Sequence, residues 1–287
     1  MKEIRVGFLM SYDYKLLKNS IPLVYKEADS ITIALDENLR TWSGGNFEID
    51  DSFFLWLKSF DAENKISIYK DNFYDPDLNA MENEVKERKM LASKMGIGNW
   101  LIQIDSDEYF VDFKQFTDEL RLRNKYLNNP EKNQIQIAGY YVNLYKYTED
   151  GILYVSEARN QKFATNYPSY ATGRNTNKQV IYIPSLVIHE CLSRSEEEIR
   201  TKFSNWGHSH QVDIETFLSK WRNINQSNYK DFENLFYLEP EKWKKLSFVK
   251  GRSIPEISRN LDYNELRPSR SYLLSKNFGQ WFKFLFR

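Results

Sequence analysis

The stretch Asn99-Trp-Leu-Ile-Gln-Ile-Asp105-Ser-Asp107-Glu108-Tyr-Phe110 is the most informative part of this sequence. It joins a short, mostly apolar run to three carboxylates within four positions, and such a run predicts a buried strand. Carboxylates at the end of a buried strand are unfavourable unless a positive group neutralises them. Mg²⁺ and Mn²⁺ prefer oxygen ligands and accompany nucleotide diphosphates, so one interpretation is a metal–diphosphate site. The alternative is that these acids begin a solvated loop.

The bulk composition excludes several classes of protein. The 287 residues carry 40 basic and 40 acidic side chains, so the formal charge is zero and creates no overall field for nucleic acid. The single cysteine, Cys191, excludes an internal disulfide framework and fits a reducing compartment. The first apolar stretch is too short for a signal peptide, and no run approaches the length that spans a bilayer. We therefore expect a cytoplasmic protein, which could also lie at the inner face of the cell membrane.

Strands and helices alternate in the first part of the chain. Apolar stretches predict strands over 4–10, 30–35 and 65–69, and periodic apolar positions predict helices over 14–27 and 51–60 between them. This alternation is typical of a mostly parallel sheet with helices on its faces. The sequence therefore predicts an α/β fold.

The later part of the chain predicts two further strands and then mostly helix. The strands are expected over 134–147 and 179–188, after a helix over 113–127. The helices predicted beyond Val212 cover residues 213–226, 229–237, 240–247 and 269–287. We therefore divide the chain into an α/β domain, 1–212, and a helical C-terminal extension, 213–287.

The helix predicted over 81–95 carries an arginine on its apolar face. Arg88 lies in the middle of a stripe that is otherwise formed by Met81, Val85, Ala92 and Met95. A guanidinium on a core-facing side needs an anionic partner. One interpretation is a structural pair with Asp105 or Glu108, and the other is a contact with a phosphate or a nucleobase.

The three histidines, His189, His208 and His210, fall within 22 residues, and Glu190 adjoins the first of them. Histidine transfers protons and binds metals near neutral pH, so this clustering predicts a functional site. The alternative is a polar loop together with one hydrogen-bonded histidine of the core. The spacing does not match an HExxH site and Cys191 belongs to no Cys/His cluster, so zinc is not expected.

In this order, the motifs resemble the family 2 nucleotide-sugar glycosyltransferases of GT-A fold. Residues 88–108 are similar to the arginine-bearing helix of that family, followed by its strand and Asp-x-Asp signature. Ile188-His189-Glu190, together with the later Gly207-His208-Ser-His210, resembles the branch that includes lipopolysaccharide-core and capsule glycosyltransferases. The resemblance covers roughly residues 4–230.

Two segments depart from the family pattern. The loop Ser11-Tyr12-Asp13-Tyr14 lacks the Asn-Glu pair that is common in the family. The second strand ends Leu35-Asp36-Glu-Asn38 instead of Asp-Asp-Gly-Ser. Both departures concern the nucleobase contacts and therefore the identity of the donor.

The resemblance implies a role for six residues and a cofactor. These are Asp36 for the nucleobase, Arg88 for the base or diphosphate, Asp105 for the ribose or the metal vicinity, Asp107 as metal ligand, Glu190 as catalytic base, and His208 as a further metal or phosphate contact. The implied cofactor is Mn²⁺ or Mg²⁺. The implied substrates are a nucleoside-diphosphate sugar, with UDP the expected nucleotide, and a glycan or lipid-linked acceptor.

The expected activity is inverting sugar transfer in bacterial surface polysaccharide synthesis. A sugar-nucleotide pyrophosphorylase is disfavoured, because no glycine-rich, basic loop follows the first strand. A catalytically degenerate protein of the same fold, which binds carbohydrate or acts as a scaffold, remains the alternative. The aromatic and basic tail 278–287 could contact a membrane interface or pack back on the fold.

Overall fold

A computed structural model describes residues 2–205 and 212–283, with the side chain of Trp281 excluded. The strands of the described part are β1 (Ile4–Met10), β2 (Ser30–Asp36), β3 (Ile66–Asp71), β4 (Trp100–Asp105), β5 (Glu108–Phe110), β6 (Ile135–Tyr147), β7 (Gly151–Val155), β8 (Arg159–Thr165), β9 (Gln179–His189) and β10 (Leu246–Lys250). The helices are α1 (Leu17–Tyr25), α2 (Asp51–Phe60), α3 (Ala80–Met95), α4 (Phe113–Arg121), α5 (Glu196–Asn205), α6 (Ile214–Asn223), α7 (Ile254–Asn260), α8 (Tyr263–Leu266) and α9 (Arg270–Phe282).

The strands form one mixed sheet whose centre is parallel. The main strand order is β10-β7-β6-β8-β4-β1-β2-β3, and β9 pairs with both β5 and β6. Strand β1 pairs in parallel with β2 and β4, and β2 pairs in parallel with β3. The predicted α/β fold, with a central parallel sheet flanked by helices, is therefore confirmed. The strands beyond β4 are largely antiparallel.

The direction of chain progression reverses at β1. The chain moves outward from β1 through β2 to β3, and then returns to place β4 on the other side of β1. In open α/β sheets, such a reversal leaves a crevice outside the carboxyl ends of the two strands concerned. Here these ends lead directly into residues 11–13 and 105–108.

Apolar side chains bury both faces of the parallel centre. Helices α1, α2 and α4 cover one face, through residues that include Ile21, Phe53 and Phe116. Helix α3 covers the other face with Leu91, Ala92 and Met95. Strands covered on both faces are expected to be apolar almost throughout, as β1, β2 and β4 are.

The C-terminal extension is less helical than predicted. The helices expected over 229–237 and 240–247 are replaced by 3₁₀ turns at Tyr229–Asp231 and Pro240–Lys242, and by β10. Strand β10 pairs antiparallel with β7 and so extends the main sheet. The division of the chain at residue 212 stays a prediction.

Helix α9 packs against the edge of β9. The Tyr182 N–H donates to Asn277 Oδ1 (2.8 Å), and Asn277 Nδ2 donates back to the Tyr182 carbonyl (3.0 Å). The Val180 N–H donates to Gln280 Oε1 (3.2 Å). These amides cover strand groups that would otherwise be open to pairing. Of the helices in the described ranges, none has the length and apolar character needed to span a membrane.

Candidate functional site

A cavity of about 610 Å³ lies at the carboxyl ends of the parallel strands. Residues 9–13 line it from β1, Asp36 lines it from β2, and residues 105–108 line it after β4. The cavity thus occupies the crevice that the reversal of strand order creates. Its volume lies within the range of about 300–1,000 Å³ that is usual for small-molecule sites.

Three neighbouring strands place polar side chains on one face of the sheet above this cavity. Tyr141 on β6 is the register partner of Arg159 on β8, and Asn143 is the partner of His189 on β9. The Tyr141 and His189 rings stack with centroids 4.6 Å apart. His189 Nδ1 and Asn143 Oδ1 are hydrogen-bonded at 2.8 Å. All four residues line the cavity.

The first carboxylate after β4, Asp105, is paired with Arg88. Arg88 Nη2 donates to Asp105 Oδ1 (2.8 Å) and Oδ2 (3.2 Å), and its Nε donates to Glu84 Oε1 (2.9 Å). The structure thus forms the pair that the first interpretation of Arg88 predicted. Arg88 Nη1, however, is buried without a hydrogen-bond partner among the described residues, in a side chain that lines the cavity. Buried donors normally have an acceptor, so the unpaired Nη1 is consistent with the second interpretation, in which a ligand supplies that acceptor.

Glu108, the last carboxylate of the cluster, is enclosed by Arg174. Arg174 Nη1 donates to Glu108 Oε2 (2.7 Å), and its Nη2 donates to Glu108 Oε1. The Tyr141 hydroxyl also donates to Oε1, and the Asp105 N–H donates to Oε2 (3.1 Å). Glu108 is only 1% exposed, so Glu108 and Arg174 form a buried ion pair with a structural role.

Asp107, which lies between Asp105 and Glu108 in the sequence, accepts hydrogen bonds from two cationic side chains. Arg194 Nη2 and Lys202 Nζ each donate to Asp107 Oδ2 at 2.6 Å. His189 Nε2 lies 3.5 Å from the same oxygen. Burial alone would raise the pKa of Asp107, but Lys202, His189 and Arg194 outweigh it and hold that pKa well below its usual range.

This donor set does not fit a divalent metal ion at Asp107. One carboxylate oxygen already faces two positive side chains, which would repel a metal ion, and Asp105 is bound to Arg88 through both oxygens. Within residues 2–205 and 212–283, no group of three or more acidic, histidine or cysteine side chains could hold a metal ion. His208, the other predicted ligand, lies outside the described residues, as does His210. The expected Mn²⁺ or Mg²⁺ stays a prediction that the described donors do not favour.

Asp36 holds two loops at the rim of the cavity. Its Oδ1 accepts the N–H groups of Asn38 (3.0 Å) and Arg40 (3.1 Å), and its Oδ2 accepts those of Phe73 (2.9 Å) and Tyr74 (3.2 Å). Four donors match the four lone-pair positions of a carboxylate. The contact of Asp36 with a nucleobase stays a prediction, and its observed contacts are with the backbone.

Glu190 lies behind the cavity wall. Its neighbours His189 and Cys191 line the cavity, whereas Glu190 is not among the described residues that do so. The Tyr109 hydroxyl donates to Glu190 Oε2 (2.6 Å), and the Glu190 N–H donates to the Asp107 carbonyl (2.9 Å). Burial raises the pKa of the Glu190 carboxyl. The predicted base is thus next to the acidic cluster, but its side chain does not line the cavity.

Glu87 and Trp42 form a polar contact in the cavity wall that the sequence did not indicate. Trp42 Nε1 donates to Glu87 Oε2, and both residues line the cavity. Burial raises the pKa of Glu87 to about 8, so this carboxyl is largely protonated at neutral pH.

Stability is expected to fall with rising pH because of Glu87. Its folded-state pKa of about 8 exceeds the ordinary 4.5, so between these values the folded chain keeps a proton that the unfolded chain releases. The contribution to the free energy of unfolding should therefore be lost as pH rises through this window, by up to about 1.4 kcal/mol per pH unit. In Glu87→Gln this loss should disappear. Urea unfolding at several pH values between 5 and 8 measures it, with exposed Glu197→Gln as control. An unchanged pH dependence in Glu87→Gln would contradict the assignment.

Comparisons with known proteins do not assign the chain to a family. No protein-family model matches the chain, and no curated protein matches it. Among solved structures, a crystal structure of S. aureus TarS 1-349 aligns with a TM-score of 0.33 and 14% identity, covering 50% of this chain and 36% of that chain. The chain thus spans about a third of the length of the TarS fragment. The class that the structure defines is an α/β protein with a ligand-sized cavity at its strand reversal, and the family 2 resemblance and its branch stay predictions.

Proposed function

We propose that this chain is a glycosyltransferase of GT-A type, which transfers a sugar with inversion from a nucleoside-diphosphate sugar to an acceptor hydroxyl. UDP is the nucleotide we expect, and a glycan or lipid-linked acceptor of bacterial surface polysaccharide synthesis is the acceptor. The observation that carries the proposal is the cavity at the strand reversal, with the cluster Asp105–Glu108 on its wall. A crevice at this place in an α/β sheet is where nucleotides are commonly bound.

The nucleoside would lie against the part of the cavity around Arg88. The Trp42 ring offers an apolar surface there, next to the Arg88 guanidinium at 5.8 Å, and Arg88 Nη1 is a donor in need of an acceptor. Asp105 keeps about a third of its side chain exposed (32%), so its carboxylate can still accept hydrogen bonds from ribose hydroxyls. These contacts would orient the donor before the chemical step.

The acceptor hydroxyl would be deprotonated by Glu190. Glu190 adjoins the acidic cluster, because its N–H donates to the Asp107 carbonyl (2.9 Å), and it would act on an acceptor that is bound beside the donor. Burial raises its pKa, which makes its carboxylate a stronger base. The hydrogen bond from Tyr109 fixes the orientation of its carboxylate.

A panel of nucleotide sugars tests this proposal directly. One nucleoside-diphosphate sugar should raise the midpoint of thermal unfolding, because a ligand at a hundred times its dissociation constant stabilises the folded state by about 2.7 kcal/mol. The same compound should be hydrolysed slowly in the absence of acceptor. Free monosaccharides and nucleoside monophosphates serve as controls. If no member of the panel is bound or hydrolysed, the chain is not a nucleotide-sugar transferase.

A catalytically degenerate protein of this fold is the second candidate. The observation that favours it is that Asp105, Asp107 and Glu108 are each paired with basic side chains of the chain itself. Carboxylates that are already paired in this way can have a purely structural role, since breaking a buried ion pair is strongly destabilising. The same panel separates the two candidates, since a scaffold protein would bind carbohydrate without hydrolysing any donor.

We also propose that α9 contacts the surface of a membrane. Leu274, Phe278 and Phe282 recur on one side of this helix and are 72%, 60% and 41% exposed. Lys276 and Lys283 add positive charge, a combination that favours anionic lipid interfaces. The chain should therefore sediment with phosphatidylglycerol vesicles, and Leu274→Ser should weaken this by severalfold relative to exposed Leu122→Ser. Equal sedimentation of these two variants would exclude α9 as the contact.

A further inference from the structure

We infer that Lys202, together with Arg159, binds the donor diphosphate directly, so that donor binding requires no divalent metal. This inference rests on the proposed function, since the diphosphate is that of the nucleotide-sugar donor. It replaces the metal that the resemblance implies with cations that the chain supplies itself. A lysine or arginine can provide the same neutralisation of a phosphate as a bound cation, through charge-assisted hydrogen bonds.

Asp107, Arg194 and Lys202 form a largely buried ion cluster. The side chains of Asp107 and Arg194 are each 5% exposed and that of Lys202 is 19% exposed, so solvent screens these contacts weakly. Arg194 also reaches Asp13 Oδ2 at 3.4 Å and donates through Nε to the Glu190 carbonyl (3.2 Å). A metal ion at Asp107 would have to displace both buried cations, and among the described residues only Arg194 has a second carboxylate, Asp13, within 4 Å. Asp107 is therefore a positioning residue for Arg194 and Lys202.

The Lys202 ammonium group has N–H donors that remain for a ligand. An ammonium group has three N–H donors, and the hydrogen bonds of the described residues use one of them, to Asp107. Lys202 lines the cavity, as do His189 and Cys191. An ammonium that is fixed by a buried carboxylate and still has free donors is arranged to bind an anion.

A second basic side chain, Arg159, lies in the wall of the same cavity. Arg159 lines it, forms no ion pair with any described residue, and has a buried Nε without a hydrogen-bond partner in the described ranges. Its register partner Tyr141 stacks on His189, which approaches Asp107, so Arg159 lies on the same face of the sheet as the Asp107 cluster. A buried donor of this kind is explained if a ligand supplies the acceptor. A diphosphate has the charge and the number of acceptor oxygens for both cations.

Calorimetric titration with nucleoside diphosphates tests the inference. UDP, GDP, ADP and CDP are titrated into the full chain in EDTA and again with MnCl₂. We expect one of them to bind with the same affinity, within about twofold, under both conditions. Lys202→Met and Arg159→Met should each weaken binding by about ten- to a hundredfold, since a hydrogen bond to a charged group is lost. Exposed Lys58→Met is the matched control and should bind like the wild type.

The outcomes distinguish the inference from the proposed function. Binding that appears only with MnCl₂, or folded variants that bind like the wild type, would overturn the inference and leave the glycosyltransferase proposal standing. Absence of binding for all four nucleotides under both conditions would overturn the two together. Thermal unfolding of each variant confirms that it folds, and the comparison of EDTA with MnCl₂ needs no variant at all.

Discussion

Replacing Arg174 by methionine should lower the free energy of unfolding by about 3–5 kcal/mol, because it leaves a buried carboxylate without its counter-ion. Glu108 is 1% exposed and receives both guanidinium Nη groups of Arg174. Arg174 Nη1 also donates to the Gln103 carbonyl (2.8 Å), so the substitution removes a partner from the backbone of β4 as well. Methionine retains much of the apolar volume, and the lost stability can therefore be assigned to the charge and its hydrogen bonds.

Urea unfolding of three variants measures this effect. Arg121→Met is the matched control, since Arg121 is 43% exposed, and an exposed ion pair is worth about 0–1 kcal/mol. Replacing Arg174 by methionine and Glu108 by leucine together should recover much of the loss, because no buried charge then remains unpaired. A decrease below about 1 kcal/mol in Arg174→Met would show that the Glu108 carboxylate is not buried with an ionic partner.

The carboxylates after β4 are neutralised, as their place at the end of a buried strand requires. The sequence pattern indicated a metal ion for this role, whereas the neutralising groups among the described residues are basic side chains. Arg88 could be recognised, because its place on the apolar face of a helix marks it as a buried cation. Arg174, Arg194 and Lys202 could not, because they lie 66, 87 and 95 residues from the acids they contact and follow no local pattern.

A similar limit explains why the sequence does not predict β5 and β10. Strand β5 has three residues and β10 has five, which is too short for a period-two pattern to stand out from a helical background. Both are stabilised by partners distant in the chain, β9 for β5 and β7 for β10. The parallel centre could be predicted because its strands are continuous apolar runs. The resemblance treats His189 and Glu190 as one motif, but β9 ends at His189, and of these two residues only His189 lines the cavity.

Glu190→Gln should lower the rate of sugar transfer by about a hundred- to ten-thousandfold and leave donor binding unchanged, because a positioned general base contributes an effect of this size. Glutamine keeps the shape of the side chain and can still accept the hydrogen bond that Tyr109 donates to Glu190. It cannot accept a proton from the acceptor hydroxyl. His189→Asn is the matched comparison, since it changes the adjacent side chain, which faces the cavity and Asp107.

The pH dependence of transfer gives this prediction a second readout. Only the ionised carboxylate can act as a base, and burial raises the pKa of Glu190 above its ordinary value. The transfer rate should therefore rise as pH increases through that raised pKa, and Glu190→Gln should lose this rise together with the activity. Steady-state transfer across a pH series, with donor binding measured in parallel, separates catalysis from affinity. If His189→Asn removes the rise and Glu190→Gln retains it, the proton is accepted by His189, on the cavity side of β9, and the acceptor must enter from that side.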